Sequence, residues 1–209
     1  MKRRDFVLFG MGGMALAACG KRQKFSAFPP GSRVLAFGDS VTYGTGASPG
    51  EDWSTLLGES TGWQVINAGV PGDTAEAGRA RIRSLLAEHQ PALVVIEIGG
   101  NDFLRRRPAS DVKQDLKALL DAVRASGAQV VLIGVPSLSL MAAVAGKAGD
   151  SSIYGELGKE EGVPVVADVF SDVLSQPELR ADQIHPNAAG YRQMAAGIHA
   201  ALKQLGLAR

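Results

Sequence analysis

A serine, a histidine and an aspartate stand in segments whose pattern favours nucleophilic chemistry. Ser40 ends a Gly-Asp-Ser triplet that directly follows an apolar segment. A serine hydroxyl is a weak nucleophile unless a base lies within hydrogen-bond reach and a further group orients that base. His185 stands in a predicted loop three residues after Asp182, a spacing that lets one tight turn bring the carboxylate to the imidazole. These residue types predict attack on a carbonyl carbon, with Ser40 as the nucleophile.

The chain has three histidines, and we interpret the other two as structural. His89 lies at the end of a predicted helix, where a cation interacts favourably with the helix dipole. His199 adjoins the apolar face of the last predicted helix. An alternative stays open for the site itself, because Asp182 and Asn187 could act only as turn and helix-cap residues.

Two further positions offer hydrogen-bond donors of the kind that stabilise an oxyanion. Gly69 follows the second predicted strand and can present its backbone N–H at close range, because glycine has no Cβ. Asn101, in the Gly-Gly-Asn-Asp segment that begins at Gly99, offers a side-chain amide. Taken singly, Gly69 or Asn101 could instead serve a turn, in which both residue types are common.

Short apolar segments alternate with amphipathic ones along most of the chain, which predicts strands alternating with helices. The predicted strands are residues 34–37, 63–67, 92–98, 129–135 and 163–166. The predicted helices are residues 51–59, 74–88, 111–125, 151–161 and a last one from 187 to about 205, with Asp73 or Thr74 capping the second. Such alternation implies a parallel, doubly wound sheet. Because ligands bind at the carboxyl ends of such strands, Ser40, Gly69 and Asn101 should share one crevice.

Four segments, taken together and in order, resemble the four blocks of the SGNH, or GDSL-type, hydrolases. They contain Ser40, Gly69, Asn101, and Asp182 with His185. The resemblance implies an α/β fold, a flavodoxin-like three-layer sandwich with a five-stranded parallel sheet. It also implies Ser40 as nucleophile, His185 as base and Asp182 as the residue that orients the base. The implied oxyanion hole consists of the Ser40 N–H, the Gly69 N–H and the Asn101 side chain.

Within this family, residues 67–74, 96–102 and 185–190 look most like the arylesterases and the acyl-CoA thioesterase I/lysophospholipase enzymes. The resemblance therefore implies a serine esterase that hydrolyses acyl esters or thioesters, including lysophospholipid-like ones, through an acyl-enzyme. Two alternatives remain: a deacetylase of cell-envelope carbohydrate, and a non-catalytic lipoprotein on the same scaffold, against which the intact Ser40, Asp182 and His185 argue. We expect no cofactor and no metal, because the sequence has no His/Cys spacing typical of metal ligands.

The amino-terminal segment has the composition of an export signal. Residues 1–24 carry six basic residues and one acidic residue, whereas the rest of the chain carries 16 basic and 20 acidic residues. The apolar stretch that follows the charged start is too short to span a hydrocarbon core of ~30 Å. We interpret residues 1–18 as a signal peptide, residues 19–31 as a tether and residues 32–209 as the hydrolase domain. The acidic balance of the domain gives no indication of a nucleic-acid partner.

Cys19, the only cysteine, follows Leu-Ala-Ala and so resembles the cysteine of a bacterial lipobox. The resemblance implies cleavage before Cys19, acylation of that residue and a membrane anchor. The protein would then be an exported lipoprotein that faces the periplasm or lies in the outer membrane. The alternative is an ordinary cleavage site with an incidental cysteine. Arg3 and Arg4 favour the twin-arginine export route, although a plain secretory signal can also contain two arginines.

Two segments bear on substrate recognition. Arg105, Arg106 and Arg107 follow the Asn101 segment and could attract anionic head groups or coenzyme A phosphates, although a run of charges is more often a solvated face. Residues 137–148 are rich in Leu, Met, Ala and Gly, and they could form one wall of an acyl site or a loop packed on the core.

Overall fold

The computed structural model describes residues 26–137 and 149–209. The predicted signal peptide, Cys19 and the first part of the predicted tether lie outside these ranges, and so do residues 138–148 of the predicted acyl-site segment. In the described part of the chain, no helix has the length and apolar character needed to cross a membrane.

Within the described ranges, a five-stranded parallel sheet forms the centre of the fold. Its strands are β1 (Arg33–Gly38), β2 (Gln64–Gly69), β3 (Leu93–Glu97), β4 (Gln129–Ile133) and β5 (Val165–Val166), in the spatial order β2-β1-β3-β4-β5. This is the flavodoxin-like order. β1, β3 and β4 are almost entirely buried, as expected for apolar strands that are covered on both faces. The predicted α/β fold with a five-stranded parallel sheet is confirmed.

Helices connect the strands and pack in two groups. They are α1 (Ser40–Tyr43), α2 (Trp53–Thr61), α3 (Ala75–His89), α4 (Gly100–Leu104), α5 (Ala109–Ala125), α6 (Ser152–Glu161), α7 (Val169–Leu174) and α8 (Ala188–Gln204), with a 3₁₀ turn at Pro177–Leu179. α2 packs against α8, whereas α3 packs against α5 and α5 against α6. Two separate helix groups are typical of a doubly wound sheet.

Side-chain oxygens begin several of these helices by accepting hydrogen bonds from their free N–H groups. Asp39 Oδ1 accepts from the N–H of Val41 at 3.0 Å and so begins α1. Thr74, rather than Asp73, caps α3 by accepting from the N–H of Ala77 at 3.1 Å. These two caps matter for the site, because both helices start at the carboxyl edge of the sheet.

The structure differs from the predicted elements mainly in short segments. β3 ends at Glu97 instead of Ile98, β4 ends at Ile133 instead of Val135, and β5 has only two residues. The sequence does not predict α4 or α7, because helices of five and six residues are too short to show a helical period.

The end of the predicted tether is packed on the fold. The N–H of Phe28 donates to the carbonyl of Leu207 at 2.9 Å, and Trp63 Nε1 donates to the carbonyl of Phe28 at 3.2 Å. The rings of Phe28 and Trp63 meet edge to face. The N–H of Gly31 donates to the carbonyl of Gly62 at 2.7 Å. The prediction of a tether as far as residue 31 is therefore wrong for its last residues, which belong to the folded unit.

β1, β2 and β3 end at one level of the sheet. Gly38 is paired with Gly69 on one side and with Glu97 on the other. The loops after these strands therefore start side by side. As predicted, the segments that carry Ser40, Gly69 and Asn101 leave the sheet at a shared edge.

Candidate active site

Ser40, His185 and Asp182 form one hydrogen-bonded chain. His185 Nε2 lies 2.9 Å from Ser40 Oγ, and His185 Nδ1 lies 2.7 Å from Asp182 Oδ2. The other carboxylate oxygen of Asp182 accepts from the backbone N–H groups of Ile184 and His185, both at 2.8 Å. The turn thus fixes the carboxylate, and the carboxylate fixes the ring. With the Nδ1 proton directed at Asp182, Nε2 is free to accept the proton of Ser40.

Ser40 reaches the edge of the sheet because the chain turns sharply after β1. A Cβ at Gly38 would lie 2.1 Å from Thr42 Oγ1 and 2.2 Å from the carbonyl oxygen of Glu97, so only glycine fits there. Asn67 holds the other side of the turn, since its Nδ2 donates to the carbonyl of Thr42 at 2.7 Å. Ser40 itself remains partly exposed and accessible to a ligand.

The loop that carries His185 is held against the loop that follows α1. Tyr191 Oη donates to the carbonyl of Thr45 at 2.8 Å, which ties α8 to that loop. Gly46 adopts a φ of 100°, and a Cβ there would lie 2.4 Å from the carbonyl oxygen of Pro186. A glycine is needed both for this conformation and for the close approach. These contacts place the imidazole over Ser40.

Asp182 is exposed while its partner is shielded. The side chain of Asp182 is 55% exposed and that of His185 is 13% exposed. Partial burial raises the pKa of Asp182, but the hydrogen bonds from the His185 ring and from the N–H groups of Ile184 and His185 outweigh this effect and hold the pKa below its usual value. Asp182 therefore stays ionised at neutral pH, where it favours the imidazolium that forms when His185 accepts a proton.

The backbone N–H of Gly69 is already engaged. It donates to Asn67 Oδ1 at 2.9 Å and is not free for a ligand. A Cβ at Gly69 would lie 2.1 Å from the backbone nitrogen of Tyr43, so this glycine lets α1 approach β2. The prediction that Gly69 supplies an oxyanion donor is contradicted by this geometry, which gives the residue a packing role.

Gly72 has the free N–H group on the same loop, a donor not predicted from the sequence. Gly72 is exposed and adopts a φ of 85°. Its N–H has no acceptor within residues 26–137 and 149–209. The next residue, Asp73, accepts from Asn101 Nδ2 at 2.9 Å through its carbonyl, so Gly72 and the Asn101 amide meet at one turn. The signal was a Pro-Gly pair at Pro71, which is typical of a turn with a positive φ at the glycine.

Asn101 and the N–H of Ser40 complete the set of donors. Asn101 Nδ2 donates to the Asp73 carbonyl at 2.9 Å and, over a longer distance of 3.3 Å, to Asp39 Oδ2. A ligand oxygen can replace the longer of these two contacts. The N–H of Ser40 stands at the first position of α1 and has no acceptor in the described part of the chain.

Two buried acids lie beneath the Ser40 turn. Asp39 is 2% exposed and Glu97 is fully buried. Burial raises the pKa of Asp39 to about 6, although the N–H of Val41 and the charge of His185 act in the opposite direction. Burial, together with the charge of Asp39, raises the pKa of Glu97 well above its usual value. The Thr42 hydroxyl donates to Glu97 Oε2 at 2.8 Å, and Oε1 has no partner in the described residues.

Three large apolar side chains are exposed on the segments that leave the carboxyl edge of the sheet. Tyr43, Val70 and Leu104 are 59%, 41% and 45% exposed, and they follow β1, β2 and β3 respectively. Exposed apolar groups around a cleft mark a binding surface for apolar molecules. We name Tyr43, Val70 and Leu104 the apolar rim.

The three consecutive arginines differ in their surroundings. Arg107 forms ion pairs with Asp102 and Asp115 and is therefore a structural residue. Arg105 donates to the carbonyl of Gly72 at 3.1 Å. Arg106 is exposed, and its side chain makes no hydrogen bond or ion pair within the described ranges. Arg106 is thus the one of the three that is free to meet an anion.

Neither of the other histidines takes part in the hydrogen-bonded series Asp182–His185–Ser40. His89 is the last residue of α3, as predicted, and lies 3.7 Å from a carboxylate oxygen of Glu88. His199 lies in α8, where its Nε2 is buried without a partner among the described residues. Over the same residues, no group of three or more His, Cys, Asp or Glu side chains is arranged to hold a metal ion.

Known proteins are similar to this chain in sequence and in fold. Residues 36–193 match the GDSL-like Lipase/Acylhydrolase family. Esterase TesA of Pseudomonas aeruginosa is 34% identical over 181 residues, which cover 82% of this chain and 88% of that protein. Thioesterase 1/protease 1/lysophospholipase L1 of Escherichia coli K12 is 35% identical over 161 residues, which cover 74% of this chain and 75% of that protein.

Solved structures include proteins whose fold is similar to that of this chain. A crystal structure of TesA has a TM-score of 0.74 and 32% identity, covering 83% of this chain and 99% of that one. The crystal structure of AlinE4, an SGNH-hydrolase family esterase, has a TM-score of 0.63 and 26% identity, covering 85% of this chain and 98% of that one.

Proposed function

Because the chain belongs to the GDSL-like lipase/acylhydrolase family and is a serine ester hydrolase, we propose that it cleaves acyl esters and thioesters through an acyl-enzyme on Ser40. The observation that carries this proposal is the unbroken hydrogen-bonded chain from Ser40 Oγ through His185 to Asp182, with contacts of 2.9 and 2.7 Å. A base within this distance, oriented by a carboxylate, is what a serine nucleophile requires.

The proposed reaction has two halves. Ser40 Oγ attacks the carbonyl carbon while its proton passes to His185 Nε2, and His185 then returns that proton to the departing alcohol or thiol. Water next attacks the acyl-enzyme, again with His185 as base, and the carboxylic acid leaves as Ser40 is restored. The oxyanion of each tetrahedral intermediate is held by the N–H groups of Ser40 and Gly72 and by the Asn101 amide. Asp182 keeps the ring in the required tautomer.

The apolar rim supports a substrate with an apolar acyl or aryl group. Its members, Tyr43, Val70 and Leu104, expose apolar surface that a bound chain can cover. The names of the relatives, esterase and thioesterase 1/lysophospholipase L1, point to the same class. We propose that the exposed Arg106 meets the head group of anionic substrates of the lysophospholipid kind.

A substrate panel tests the function. It should contain p-nitrophenyl esters of increasing chain length, a lysophospholipid, an acyl-CoA and an acetylated glycan, each assayed with the native chain and with Ser40→Ala. We expect hydrolysis of apolar acyl esters that disappears in Ser40→Ala. Activity confined to the acetylated glycan would instead support the deacetylase alternative, and activity that survives in Ser40→Ala would contradict the mechanism.

We also propose that the protein is exported and anchored in a membrane through acylated Cys19. The support is the sequence alone: the basic start, the short apolar stretch and Leu-Ala-Ala before Cys19. Radiolabelled palmitate should enter the native chain but not Cys19→Ser, and only the native chain should sediment with membranes. Equal fractionation of the two chains would contradict the anchor. Unchanged export of a chain in which Arg3 and Arg4 are replaced by lysine would exclude the twin-arginine route.

A further inference from the structure

Arg81, on α3, connects the two strand ends beside the donors of the candidate oxyanion site. Its Nη2 donates to the carbonyl of Gly38 and its Nη1 to the carbonyl of Ala68, both at 2.8 Å. Its Nε donates to Asp73 Oδ2 at 2.6 Å. The guanidinium also lies 4.1 Å from the centroid of the Phe37 ring. Three donor nitrogens and one face of the group are thus occupied by the ends of β1 and β2 and by the loop after β2.

Two of the residues that the guanidinium contacts, Gly38 and Asp73, are connected to the three oxyanion donors. Gly38 lies two residues before Ser40, whose N–H is one donor. Asp73 follows Gly72, whose N–H is the second. The carbonyl of Asp73 accepts from Asn101 Nδ2 at 2.9 Å, which ties in the third. The donors come from loops after three different strands, and one side chain sets the frame for all of them.

We propose that Arg81 is a positioning residue that fixes the mutual spacing of the three oxyanion donors. This inference rests on the proposed esterase function. Oxyanion donors act through preorganisation, so a small displacement among them lowers the rate of the chemical step. A planar guanidinium suits this task because its N–H groups point in fixed directions, whereas a lysine ammonium is a single flexible point charge. The Arg81 side chain is 22% exposed and that of Asp73 is 15% exposed, so water competes little with these contacts.

Arg79 offers a matched control on the same helix. Its Nη1 contacts Asp115 on α5 at 2.6 Å, and its side chain is 50% exposed. It makes no hydrogen bond to a strand end in the described ranges. Arg79 and Arg81 are therefore the same residue type on the same helix, and each contacts a carboxylate of its own. They differ because only Arg81 contacts the strand ends beside the site.

The test compares Arg81→Lys with Arg79→Lys in the full chain, using a short p-nitrophenyl ester. We expect Arg81→Lys to lower kcat by about 10–100-fold with little change in KM, because the positioned donors act on the transition state. Arg79→Lys should keep the wild-type kcat. Thermal melting of both variants checks that they are folded. A wild-type kcat in folded Arg81→Lys overturns the proposal, and so does an effect confined to KM.

A double-mutant cycle separates positioning from a general loss of structure. If Arg81 acts through the donors, Arg81→Lys should cost much less kcat in an Asn101→Ala background than in the wild type. Losses that multiply independently would overturn the proposal. If Arg81→Lys does not fold, Asp73→Asn takes its place in the same cycle, because it removes the charged partner of Nε and keeps the carbonyl that Asn101 binds. An inactive wild-type chain would instead count against the esterase function itself.

Discussion

His185 Nε2 lies 2.9 Å from Ser40 Oγ although 145 positions separate the two residues along the chain. The Tyr191 hydroxyl and the close approach at Gly46 hold the two loops together. The nucleophile and its base are therefore preorganised, and substrate binding does not need to assemble them.

Asp182→Asn should reduce kcat strongly while leaving the fold intact. The amide keeps an oxygen for the N–H groups of Ile184 and His185, but its NH₂ replaces Oδ2 and donates to Nδ1. The ring then carries its proton on Nε2 and cannot accept the proton of Ser40, a change that costs about 10⁴-fold in a buried triad. Because Asp182 is 55% exposed and water can partly replace it, we expect a loss of roughly 10²–10⁴-fold. Steady-state kinetics measures it, and an unchanged kcat would rule out an orienting role.

Glu97→Gln should gain stability relative to the wild type as the pH rises. The folded wild type keeps Glu97 protonated, because burial raises its pKa, whereas the unfolded chain ionises near the ordinary value. The folded state thus binds more protons above that value, and wild-type stability falls with pH until the folded pKa is reached. Glutamine cannot ionise, so the difference in unfolding free energy should grow by up to about 1.4 kcal/mol per pH unit.

Urea unfolding of wild type and Glu97→Gln at several pH values between about 5 and 8 measures this slope, since the range lies above the ordinary glutamate pKa. A changed contact with Thr42 would add a constant difference between the unfolding free energies of the two proteins, and such a constant does not affect the slope with pH. A difference that stays flat over the whole range would show that Glu97 is ionised in the folded protein.

Leu104→Ser should weaken the binding of long acyl chains more than that of short ones. Leu104 is 45% exposed, and its apolar surface is buried only by a substrate long enough to cover it. At about 0.8 kcal/mol per buried CH₂, covering one or two of its carbons corresponds to an increase in KM of roughly 4- to 15-fold. We expect this increase for p-nitrophenyl octanoate and an unchanged KM for the acetate. Equal changes for both esters would remove Leu104 from the acyl site.

Arg106→Ala should raise KM for anionic substrates and leave KM for neutral esters unchanged. Arg106 is the member of the arginine run whose side chain has no partner in the described part of the chain, whereas Arg107 is paired with Asp102 and Asp115. The expected effect shrinks with added salt, because exposed charges are screened. Kinetics with a lysophospholipid and a neutral ester, at low and high ionic strength, provides the comparison. An equal effect on both substrates would assign Arg106 to structure.

The sequence predicts much of the site because strand ends in a parallel sheet meet at one edge. Apolar runs identify the strands, and the residues after them, such as Ser40 and Asn101, must then be neighbours. The link between Asp182 and His185 follows from a separation of three residues, which a single turn closes. These inferences need only the order and spacing of residues along the chain.

The remaining features depend on side-chain contacts that spacing does not reveal. Gly69 and Gly72 both look suitable as donors, and the contact of Asn67 Oδ1 with the Gly69 N–H decides between them. Arg81 reads as an ordinary charge on a helix surface until its carbonyl partners are seen. Arg107 likewise reads as part of a cationic patch, although the approach of α5 gives it Asp115 as a partner.

The most direct measurement of the central claim is the site of covalent modification by a fluorophosphonate, which reacts with an activated serine and mimics the tetrahedral intermediate. Native protein, Ser40→Ala and His185→Ala should be treated in parallel and mapped by peptide mass spectrometry. We expect one equivalent of adduct on Ser40 in the native chain, formed at the rate at which esterase activity is lost, slow labelling in His185→Ala and none in Ser40→Ala. An adduct on another residue, or full activity in a chain modified at Ser40, would contradict the account.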